Sequence, residues 1–430
     1  MSVVLTMVVG LFGLMLLGFP LAFTIVIVSV GILVLFTDLP MWMFVQRFYA
    51  GLDSFVLVAI PFFLLTGNIM NEGKITNKLI DFAYACVGHI KGGLAQVNVL
   101  VSLLFGGVSG SAVADVSGVG SVLIPSMIKK GYTKSFAVAI TATSSTLGQI
   151  IPPSIIMIVY AASAGTSVGA LFLAGILPGI VIGLGLMLLS YIYAIKNNYP
   201  SETRLSLKTF LKTLKGALLP LGAPILIIGG IVGGVFTATE ASVVAVIYCL
   251  FITMVIDRTI TFKQLPKIII DSAKMSGLTL FCIGAAGMFG WLMGYFKVND
   301  LVSAIVTSTS TNELIFLMVV ILIFLTLGTF MDAVPAIIIF VPIIAPIGTA
   351  LGLDPVHLGI VISISLAFGL VTPPYGLCLL LGASIAKIPA QKTFKDLFIG
   401  LACIIVILLL IAFIPDLALF LPKLIMPEFM

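Results

Sequence analysis

Long apolar runs separated by short polar loops dominate the chain, and they predict membrane-spanning helices. A helix needs about 20 predominantly apolar residues to cross the hydrocarbon core of a bilayer. Runs of comparable length occupy residues 2–18, 20–36, 53–70, 168–195, 217–235, 239–257, 274–296 and 397–421. Two longer apolar stretches, 93–164 and 313–386, are interrupted by glycine, proline, serine and threonine. The pattern therefore predicts an all-α polytopic membrane protein that contains two broken regions.

The two interrupted stretches repeat each other without a gap. Gly107 and Gly328 lie 221 positions apart. The same offset relates Pro125 to Pro346, Gly148 to Gly369, and Pro152-Pro153 to Pro373-Pro374. Glycine and proline both interrupt helices, so the repeated feature is a series of helix breaks. Breaks at corresponding points of two halves are typical of secondary transporters that bind their substrate near the middle of the bilayer.

The basic residues predict how the chain crosses the membrane. They concentrate in four polar segments: Lys129, Lys130 and Lys134; Lys196, Arg204, Lys208, Lys212 and Lys215; Arg258, Lys263 and Lys267; and Lys387, Lys392 and Lys395. Lysine and arginine are enriched in cytoplasmic loops. All four segments reach one side only if 93–128 and 313–350 are re-entrant hairpins and 133–164 and 356–386 are broken passes. Five passes and one hairpin per half then invert the second half and place both termini outside the cytoplasm.

The predicted organisation is therefore two inverted repeats joined by a connector. The first repeat, 1–195, contains scaffold helices at about 1–70, an interfacial arm 73–92, hairpin 93–128, broken helix 133–164 and helix 168–195. A basic amphipathic connector, 196–216, follows on the cytoplasmic side. The second repeat, 217–430, contains scaffold helices 217–257, helix 274–296, hairpin 313–350, broken helix 356–386 and helix 397–421. The arm and the connector mix charged with apolar residues, as interfacial helices do; a solvated loop is the alternative for both.

Composition excludes a soluble protein. Of the 430 residues 61% are apolar and 9% are charged, whereas soluble domains carry about 25% charged residues. The net charge of +5 comes from the loops between apolar runs, so no nucleic-acid partner is expected. No basic residue precedes the apolar N-terminal run and no small-residue cleavage site follows it, so we expect no cleaved signal peptide. The five cysteines are isolated and lack C-x-x-C spacing, which predicts inert thiols.

The first hairpin carries oxygen-bearing groups at a break in the helix. Its tip reads Gly106-Gly107-Val108-Ser109-Gly110-Ser111, and Asp115 follows one turn later. Backbone groups freed at such a break need a partner in protein or ligand, because lipid forms no hydrogen bonds with them. Carbonyl, hydroxyl and carboxylate oxygens are the ligands that suit a hard cation such as Na⁺. A helix-packing notch of small residues is the alternative, although packing alone does not account for Asp115.

The broken pass that follows has the same character. Five hydroxyl residues, Thr141, Thr143, Ser144, Ser145 and Thr146, precede Gly148 and Pro152-Pro153. Two adjacent prolines lack backbone donors and open the helix. The second half repeats the arrangement more sparsely, with tip residues Gly328, Thr329 and Asp332 and the break Gly369, Thr372, Pro373-Pro374. Each half thus places a hairpin tip with an aspartate opposite an unwound Pro-Pro break.

These breaks contain two sets of candidate site residues. For Na⁺ they are Ser109, Gly110, Ser111, Asp115, Ser145, Gly148 and Pro152 in the first half and Gly328, Thr329, Asp332, Gly369 and Thr372 in the second. For the substrate they are Ser144, Thr146, Gln149, Ser154, Ser365 and Tyr375. No basic residue lies at mid-membrane in the repeated core, so an anionic substrate would be held by helix termini, hydroxyls and a nearby cation. No catalytic residue is expected.

Charges and histidines elsewhere in the apolar segments are few. An ionised group at the bilayer centre costs at least about 2.5 kcal/mol on insertion scales, which favours a functional role for the two hairpin aspartates. Asp53 and Glu240 lie near segment ends, where snorkelling or a helix N-cap accounts for them. His89 and His357 lie near predicted loops, so both are expected at the surface.

These motifs resemble the large membrane subunit of TRAP (tripartite ATP-independent periplasmic) transporters. The similarity rests on Gly107-x-Ser109-Gly110-Ser111-x-x-x-Asp115, Gly148-x-x-x-Pro152-Pro153-Ser154, Leu57-x-x-Ile60-Pro61-Phe62-Phe63, Thr239-Glu240-Ala241 and Thr372-Pro373-Pro374. It extends over essentially the whole chain. Among the branches of the family, the sequence looks most similar to the sialic acid type, and the C4-dicarboxylate type is the main competitor.

The resemblance implies an elevator-type ion transporter fold and Na⁺-coupled import of an organic acid anion across the bacterial inner membrane. A transport domain that contains both hairpins would slide against a scaffold of outer helices, with Na⁺ as the coupling ion. The implied partners are a small membrane subunit of about four helices and a periplasmic substrate-binding protein, both separate chains.

Rival functions explain parts of the pattern. A passive channel is also apolar and polytopic, but paired broken helices favour alternating access. An intramembrane serine hydrolase would use Ser109 as its nucleophile, and it needs a histidine within hydrogen-bond reach. An ATP-driven pump is excluded because the chain has no G-x-x-x-x-G-K-[ST] motif.

Overall fold

The computed structural model describes residues 2–201, 206–298 and 312–429. Within these ranges all regular secondary structure is helical. Nine helices of the described chain are long and apolar enough to cross a membrane, and a bent pair adds a tenth if it forms one span. The predicted class, an all-α polytopic membrane protein, is confirmed. Glu202 and Arg204 of the predicted connector lie outside the described residues.

Five helices precede the first hairpin: α1 Ser2–Leu16, α2 Leu21–Phe36, α3 Trp42–Leu52, α4 Ala59–Glu72 and α5 Ile75–Val87. Helix α3 was not predicted, because its 11 residues include Gln46 and Arg47 and are too few for a span. Helix α5 lies in the predicted arm and packs against the first helix of the hairpin. A solvated loop is therefore excluded for this part of the arm.

The first hairpin and the broken pass consist of short helices separated by capped breaks. They are α6 Gly93–Ser109, α7 Ala112–Asp115, α8 Ser121–Lys129, α9 Lys134–Ser145, α10 Leu147–Ile150 and α11 Ile155–Ala164. The long helix α12, Val168–Lys196, follows the broken pass. A π-helical turn, Val116–Gly120, joins α7 to α8. The side chains of Ser111, Ser154 and Ser167 accept backbone N–H groups at the N-termini of α7, α11 and α12, which satisfies donors that a helix start leaves free. The pass bends by 44° between α10 and α11.

The second half has nine helices in the described residues: α13 Leu207–Val232, α14 Ala238–Leu250, α15 Leu265–Tyr295, α16 Glu313–Phe330, α17 Ala333–Ala350, α18 Pro355–Gly369, α19 Leu377–Ala386, α20 Phe394–Phe413 and α21 Asp416–Ile425. The structure divides the predicted helix 397–421 into α20 and α21, because Pro415 between them has no N–H to continue the helical ladder. Helix α15 begins at Leu265 rather than at 274. Glu240 and Thr237 form a reciprocal capping box at the start of α14, in which Thr237 is the N-cap and Glu240 its partner at the third helical position.

The two halves interlock around the repeated elements. Helix α11, which follows the first Pro-Pro break, packs against α17 of the second hairpin, and its counterpart α19 packs against α8 of the first. Within each half the first hairpin helix lies against the broken pass, α6 against α9 and α10 and α16 against α18. The outer helices α3, α4, α14 and α15 pack mainly on one another. Each hairpin therefore lies beside the helix break of its own half; the first tip is largely buried and the second is partly exposed.

Candidate functional site

In each half, one close crossing of two helices holds the hairpin against the broken pass. A Cβ added at Gly106 would lie 2.8 Å from the Cα of Gly148, and one added at Gly369 would lie 2.5 Å from the Cα of Gly328. A Cβ on Gly148 would also lie 3.1 Å from the carbonyl oxygen of Ser111. Side chains do not normally approach backbone atoms this closely, so both crossings require glycine. The offset of 221 positions thus relates Gly148 to Gly369, whereas their hairpin partners, Gly106 and Gly328, differ from that offset by one residue.

The tip of the first hairpin lies against the carbonyl groups of the first break. Gly110 has a φ of +61°, and a Cβ there would meet the carbonyl oxygen of Pro153 at 2.8 Å. A Cβ on Gly107 would lie 3.4 Å from the carbonyl oxygen of Pro152. The structure therefore brings together five predicted Na⁺ residues: Ser109, Gly110, Ser111, Gly148 and Pro152. Carbonyl oxygens gathered at a helix break are suitable cation ligands.

The hydroxyl groups at the end of α9 bond to their own helix. Ser145 Oγ donates to the carbonyl oxygen of Ala142 and Thr146 Oγ1 to that of Thr143, both at 2.7 Å. Both side chains are fully buried. A hydroxyl whose proton is engaged still has lone pairs. Ser145 and Thr146 can therefore offer an oxygen to a cation but no proton to a substrate.

The break itself contains one structural side chain and one unpaired side chain. Ser154 Oγ accepts from the backbone N–H of Met157 at 3.4 Å and donates to the carbonyl oxygen of Gln149 at 2.5 Å. Gln149 is 6% exposed, and its Oε1 has no hydrogen-bond partner among the described residues. Buried amide oxygens are normally paired. Ser154 therefore acts as a helix cap, and Gln149 remains free to bind a ligand.

Asp115 lies in a polar cluster one turn from the hairpin tip. It is fully buried, and Ser102 Oγ donates to its Oδ2 at 2.7 Å. Its Oδ1 has no hydrogen-bond partner in the described part of the chain. Ser102 Oγ also lies 3.1 Å from Ser144 Oγ. Ser144, which was predicted to bind the substrate, therefore belongs to the Asp115 cluster. A buried carboxylate with a free oxygen suits a cation and repels an anionic substrate.

The second hairpin has a cavity of about 170 Å³ at its tip, with Gly328, Thr329, Asp332 and Tyr375 among its walls. Asp332 is the N-cap of α17, and its Oδ1 accepts from the backbone N–H of Ala333 at 2.8 Å. The side chain of this aspartate is exposed and forms part of the cavity wall. The carboxylate can therefore cap the helix and bind a cation in the cavity at the same time.

The remaining residues of the second break differ in their access to the cavity. Thr372 and Ser365 donate their hydroxyl protons to carbonyl oxygens one turn earlier, at 2.8 and 2.7 Å respectively. Ser365 is fully buried within α18. Tyr375 is 53% exposed, and its ring packs on that of Phe330 with centroids 6.1 Å apart. Of the predicted substrate residues in this half, Tyr375 lines the cavity.

Two polar residues of α6 that were not predicted from the sequence also contact the site. Asn98 and Ser102 are fully buried and lie one helical turn apart. Two polar residues at i and i+4 in an otherwise apolar segment were the signal that could have identified them. Their role depends on the face that α6 turns towards Asp115, and the sequence does not specify that face.

The prediction that His357 lies at the surface is wrong, whereas His89 is exposed as predicted. His357 is 1% exposed, and its Nε2 lies 2.9 Å from the carbonyl oxygen of Ile411. Burial in the first turn of α18 requires such a partner, because an unpaired ring nitrogen would be costly there. Because a carbonyl oxygen only accepts, Nε2 carries the proton of this contact and is not itself a general base.

Comparison with known proteins gives a family match over nearly the whole chain. The family described as "Tripartite ATP-independent periplasmic transporter, DctM component" matches residues 8–417. The uncharacterized protein YgiK of Salmonella typhimurium is 45% identical over 384 residues, which are 89% of this chain and 88% of that protein. The sialic acid TRAP transporter large permease protein SiaM of Vibrio cholerae is 35% identical over 96% of this chain and 97% of its own. The C4-dicarboxylate TRAP transporter large permease protein DctM of Pseudomonas aeruginosa is 40% identical over 86% and 87%.

Two solved transporter structures share the fold. The YdaH transporter of Alcanivorax borkumensis, described as having an unusual topology, gives a TM-score of 0.59 at 13% identity and covers 86% of both chains. MtrF of Neisseria gonorrhoeae, described as illuminating a class of antimetabolite efflux pumps, gives 0.54 at 14% identity, with 86% of this chain and 83% of MtrF covered. At such identities the likeness concerns the fold alone, and it confirms the predicted transporter fold class.

Proposed function

The chain belongs to the DctM family of tripartite ATP-independent periplasmic transporters, and from this membership we propose that it is the large permease of a Na⁺-coupled importer of an organic acid anion. It is a multi-pass membrane protein and a transporter permease rather than an enzyme. The observation that supports coupled transport most directly is the pair of glycine crossings. In both halves they hold a hairpin tip with an aspartate against a Pro-Pro break. A passive channel has no need of two such matched breaks.

We propose one Na⁺ site at each hairpin tip. The first would use Ser109, Gly110, Ser111, Asp115, Ser145, Gly148 and Pro152, and the second Gly328, Thr329, Asp332, Gly369 and Thr372. The free Oδ1 of Asp115 and the open carboxylate of Asp332 support this assignment, because both supply negative charge without a competing basic partner. Bound Na⁺ would order the tips, so that empty and fully loaded carriers move and partly loaded ones do not.

We place the substrate between the two tips, against the cavity walled by Tyr375 and near the free amide oxygen of Gln149. Among the described residues, those that wall the cavity include no lysine or arginine, so the substrate anion would be neutralised by Na⁺ and by the N-termini of α11 and α19. Sialic acid is the proposed substrate and a C4-dicarboxylate the second candidate, since relatives named for each are similar to this chain.

Transport would follow an elevator movement. The hairpins and broken passes, which interlock with one another, would move together against the outer helices that include α3, α4, α14 and α15. The tripartite family description supports two partners, a small membrane subunit and a periplasmic binding protein that delivers the substrate. We propose that the chain lies in the bacterial inner membrane with both termini in the periplasm.

Uptake into proteoliposomes that contain this chain and its small membrane subunit tests the proposal. We expect labelled sialic acid to enter only when the cognate binding protein and an inward Na⁺ gradient are both present. Unlabelled C4-dicarboxylate and sialic acid would be added separately as competitors. Uptake of another organic acid under the same conditions would correct the substrate and keep the mechanism. Uptake at the same rate with and without the Na⁺ gradient would contradict Na⁺-coupled transport and favour a passive channel.

Replacing His357 with glutamine separates transport from the serine hydrolase alternative. Glutamine can still donate to the Ile411 carbonyl oxygen but fills the site less well, so we expect a loss of stability of about 1 kcal/mol. Uptake at saturating Na⁺ should stay close to that of the unaltered protein. Thermal unfolding and uptake would be measured on the same preparation, with the exposed His89→Gln as the control. Complete loss of uptake in a folded His357→Gln protein would contradict the purely structural role of this histidine.

A further inference from the structure

The polar cluster around Asp115 contains side chains that the proposed Na⁺ site does not use. Its members are Asn98, Ser102, Asp115, Thr141 and Ser144, and all five are fully buried. They come from three separate segments, α6, α7 and α9. In a low-dielectric interior such a cluster has to satisfy its own polar groups, so the direction of each hydrogen bond is informative.

Donors and acceptors within the cluster can be assigned one by one. Asn98 Nδ2 donates to Thr141 Oγ1 at 2.5 Å, and Thr141 donates its own proton to a carbonyl oxygen one turn earlier at 2.7 Å. Ser144 Oγ has two acceptors for its proton, the carbonyl oxygen of Thr141 at 3.2 Å and Asn98 Oδ1 at 3.3 Å. Ser102 has a single hydroxyl proton, and its shortest contact is with Asp115 Oδ2 at 2.7 Å. Ser102 is therefore the side chain that donates to the carboxylate.

This assignment leaves one strong acceptor unfilled, the Oδ1 atom of Asp115. It has no hydrogen-bond partner among the described residues. Asn98 Nδ2 donates its second proton to Met127 Sδ at 3.7 Å rather than to Asp115. The cluster thus secures one oxygen of the carboxylate and leaves the other for a ligand.

Asp115 is connected directly to the hairpin tip. Helix α7 is a single turn, and the backbone N–H of Asp115 donates to the carbonyl oxygen of Ser111 at 3.1 Å. Beyond Asp115 the backbone is π-helical as far as Gly120, a geometry common at functional sites. A displacement of Asp115 would therefore move Ser111, which lies at the tip.

We propose that Ser102 is a positioning residue for Na⁺ binding: it fixes Asp115 through Oδ2, keeps Oδ1 free for the cation and holds the tip in the binding geometry. Asn98 supports it by orienting Ser144, which lies 3.1 Å from the Ser102 hydroxyl. The proposal rests on the proposed Na⁺ coupling and adds to it a residue that does not itself touch the ion.

The test compares Ser102→Ala, Ser102→Thr and the unaltered protein, with Na⁺ as the titrated ligand. Loss of the charge-assisted hydrogen bond should raise the Na⁺ concentration for half-maximal uptake about tenfold while the maximal rate changes by no more than about twofold. Threonine retains the hydroxyl and should restore the original Na⁺ dependence. A merely structural role would lower the maximal rate and leave the Na⁺ dependence unchanged. Ser126→Ala is the matched control, because that hydroxyl lies on the same hairpin and bonds to its own helix at 2.7 Å.

A second measurement covers the case in which Ser102→Ala folds poorly. Ser102→Cys keeps the size of the side chain but is a weaker donor, and Na⁺-dependent thermal stabilisation in detergent reports binding without transport. An intermediate shift in the Na⁺ dependence of the unfolding temperature supports the proposal. Equal Na⁺ dependence in all variants, with a clear dependence in the unaltered protein, overturns the role of Ser102 alone. If the unaltered protein shows no Na⁺ dependence in either assay, both the coupling and the positioning role are rejected.

Discussion

Replacing Asp332 with asparagine is expected to reduce Na⁺-driven uptake about a hundredfold, because loss of a charged ligand to the cation costs about 3 kcal/mol. The carboxylate has one oxygen engaged by Ala333 and is otherwise open to the cavity at the second hairpin tip. Asparagine preserves the size of the side chain and the acceptor that caps α17, so folding should be retained. The measurement is the initial rate of uptake as a function of Na⁺ concentration, together with the unfolding temperature.

The corresponding change in the first half, Asp115→Asn, should have an effect of similar size. Its carboxylate is buried and keeps one oxygen unpaired. Asp416→Asn is a suitable control, because that exposed carboxylate pairs with Lys423 at 2.8 Å far from either hairpin in the sequence. If either hairpin variant keeps the Na⁺ dependence of the unaltered protein, the site in that half is assigned wrongly.

Gly369→Ala should be the most damaging change that adds only a methyl group. The new Cβ would lie 2.5 Å from the Cα of Gly328 and 2.8 Å from the carbonyl oxygen of Leu325. Backbone atoms cannot change rotamer as a flexible side chain can, so α16 and α18 would have to move apart. The tip of the second hairpin would then lose its contact with the second Pro-Pro break. Overpacking of this kind costs about 1–3 kcal/mol or more, and we expect loss of transport together with a lower unfolding temperature.

Gly277→Ala provides the matched control for this change. Gly277 lies within α15, and a Cβ there would meet nothing within 4 Å. Alanine in an open helical position stabilises by about 0.4–1 kcal/mol, so this variant should transport normally and unfold at the same or a higher temperature. Transport by Gly369→Ala at the rate of Gly277→Ala would show that the close crossing is not needed for function.

The sequence was sufficient for the architecture, because the evidence for it is local. Apolar run length identifies spans, and the repeated Gly and Pro positions identify the breaks whichever way the helices face. The recurring offset between Gly148 and Gly369 could be read directly from the chain. The same holds for Glu240, whose capping box depends on a residue three positions away.

The errors had a long-range cause in one case and local causes in the others. His357 has a loop-like sequence position, yet packing of α18 against α20 buries it and provides Ile411 as its partner. The predicted helix 397–421 ends early at Pro415, where one missing N–H outweighs continuous hydrophobicity. Several hydroxyls proposed as ligands bond to their own helix or, like Ser154, act as caps.

The residue pattern thus established that this chain is a membrane protein with broken helices and that the pattern of breaks occurs twice, since helix breaking and apolar character are properties of short segments. The three-dimensional packing was needed to find which breaks meet, that Gly106 crosses Gly148, that Ser102 holds Asp115 and that Asp332 opens to a cavity. These facts depend on the rotation of each helix about its own axis. That rotation is determined by neighbours far away in the sequence, and in a chain that is apolar on nearly every face no amphipathic pattern reveals it.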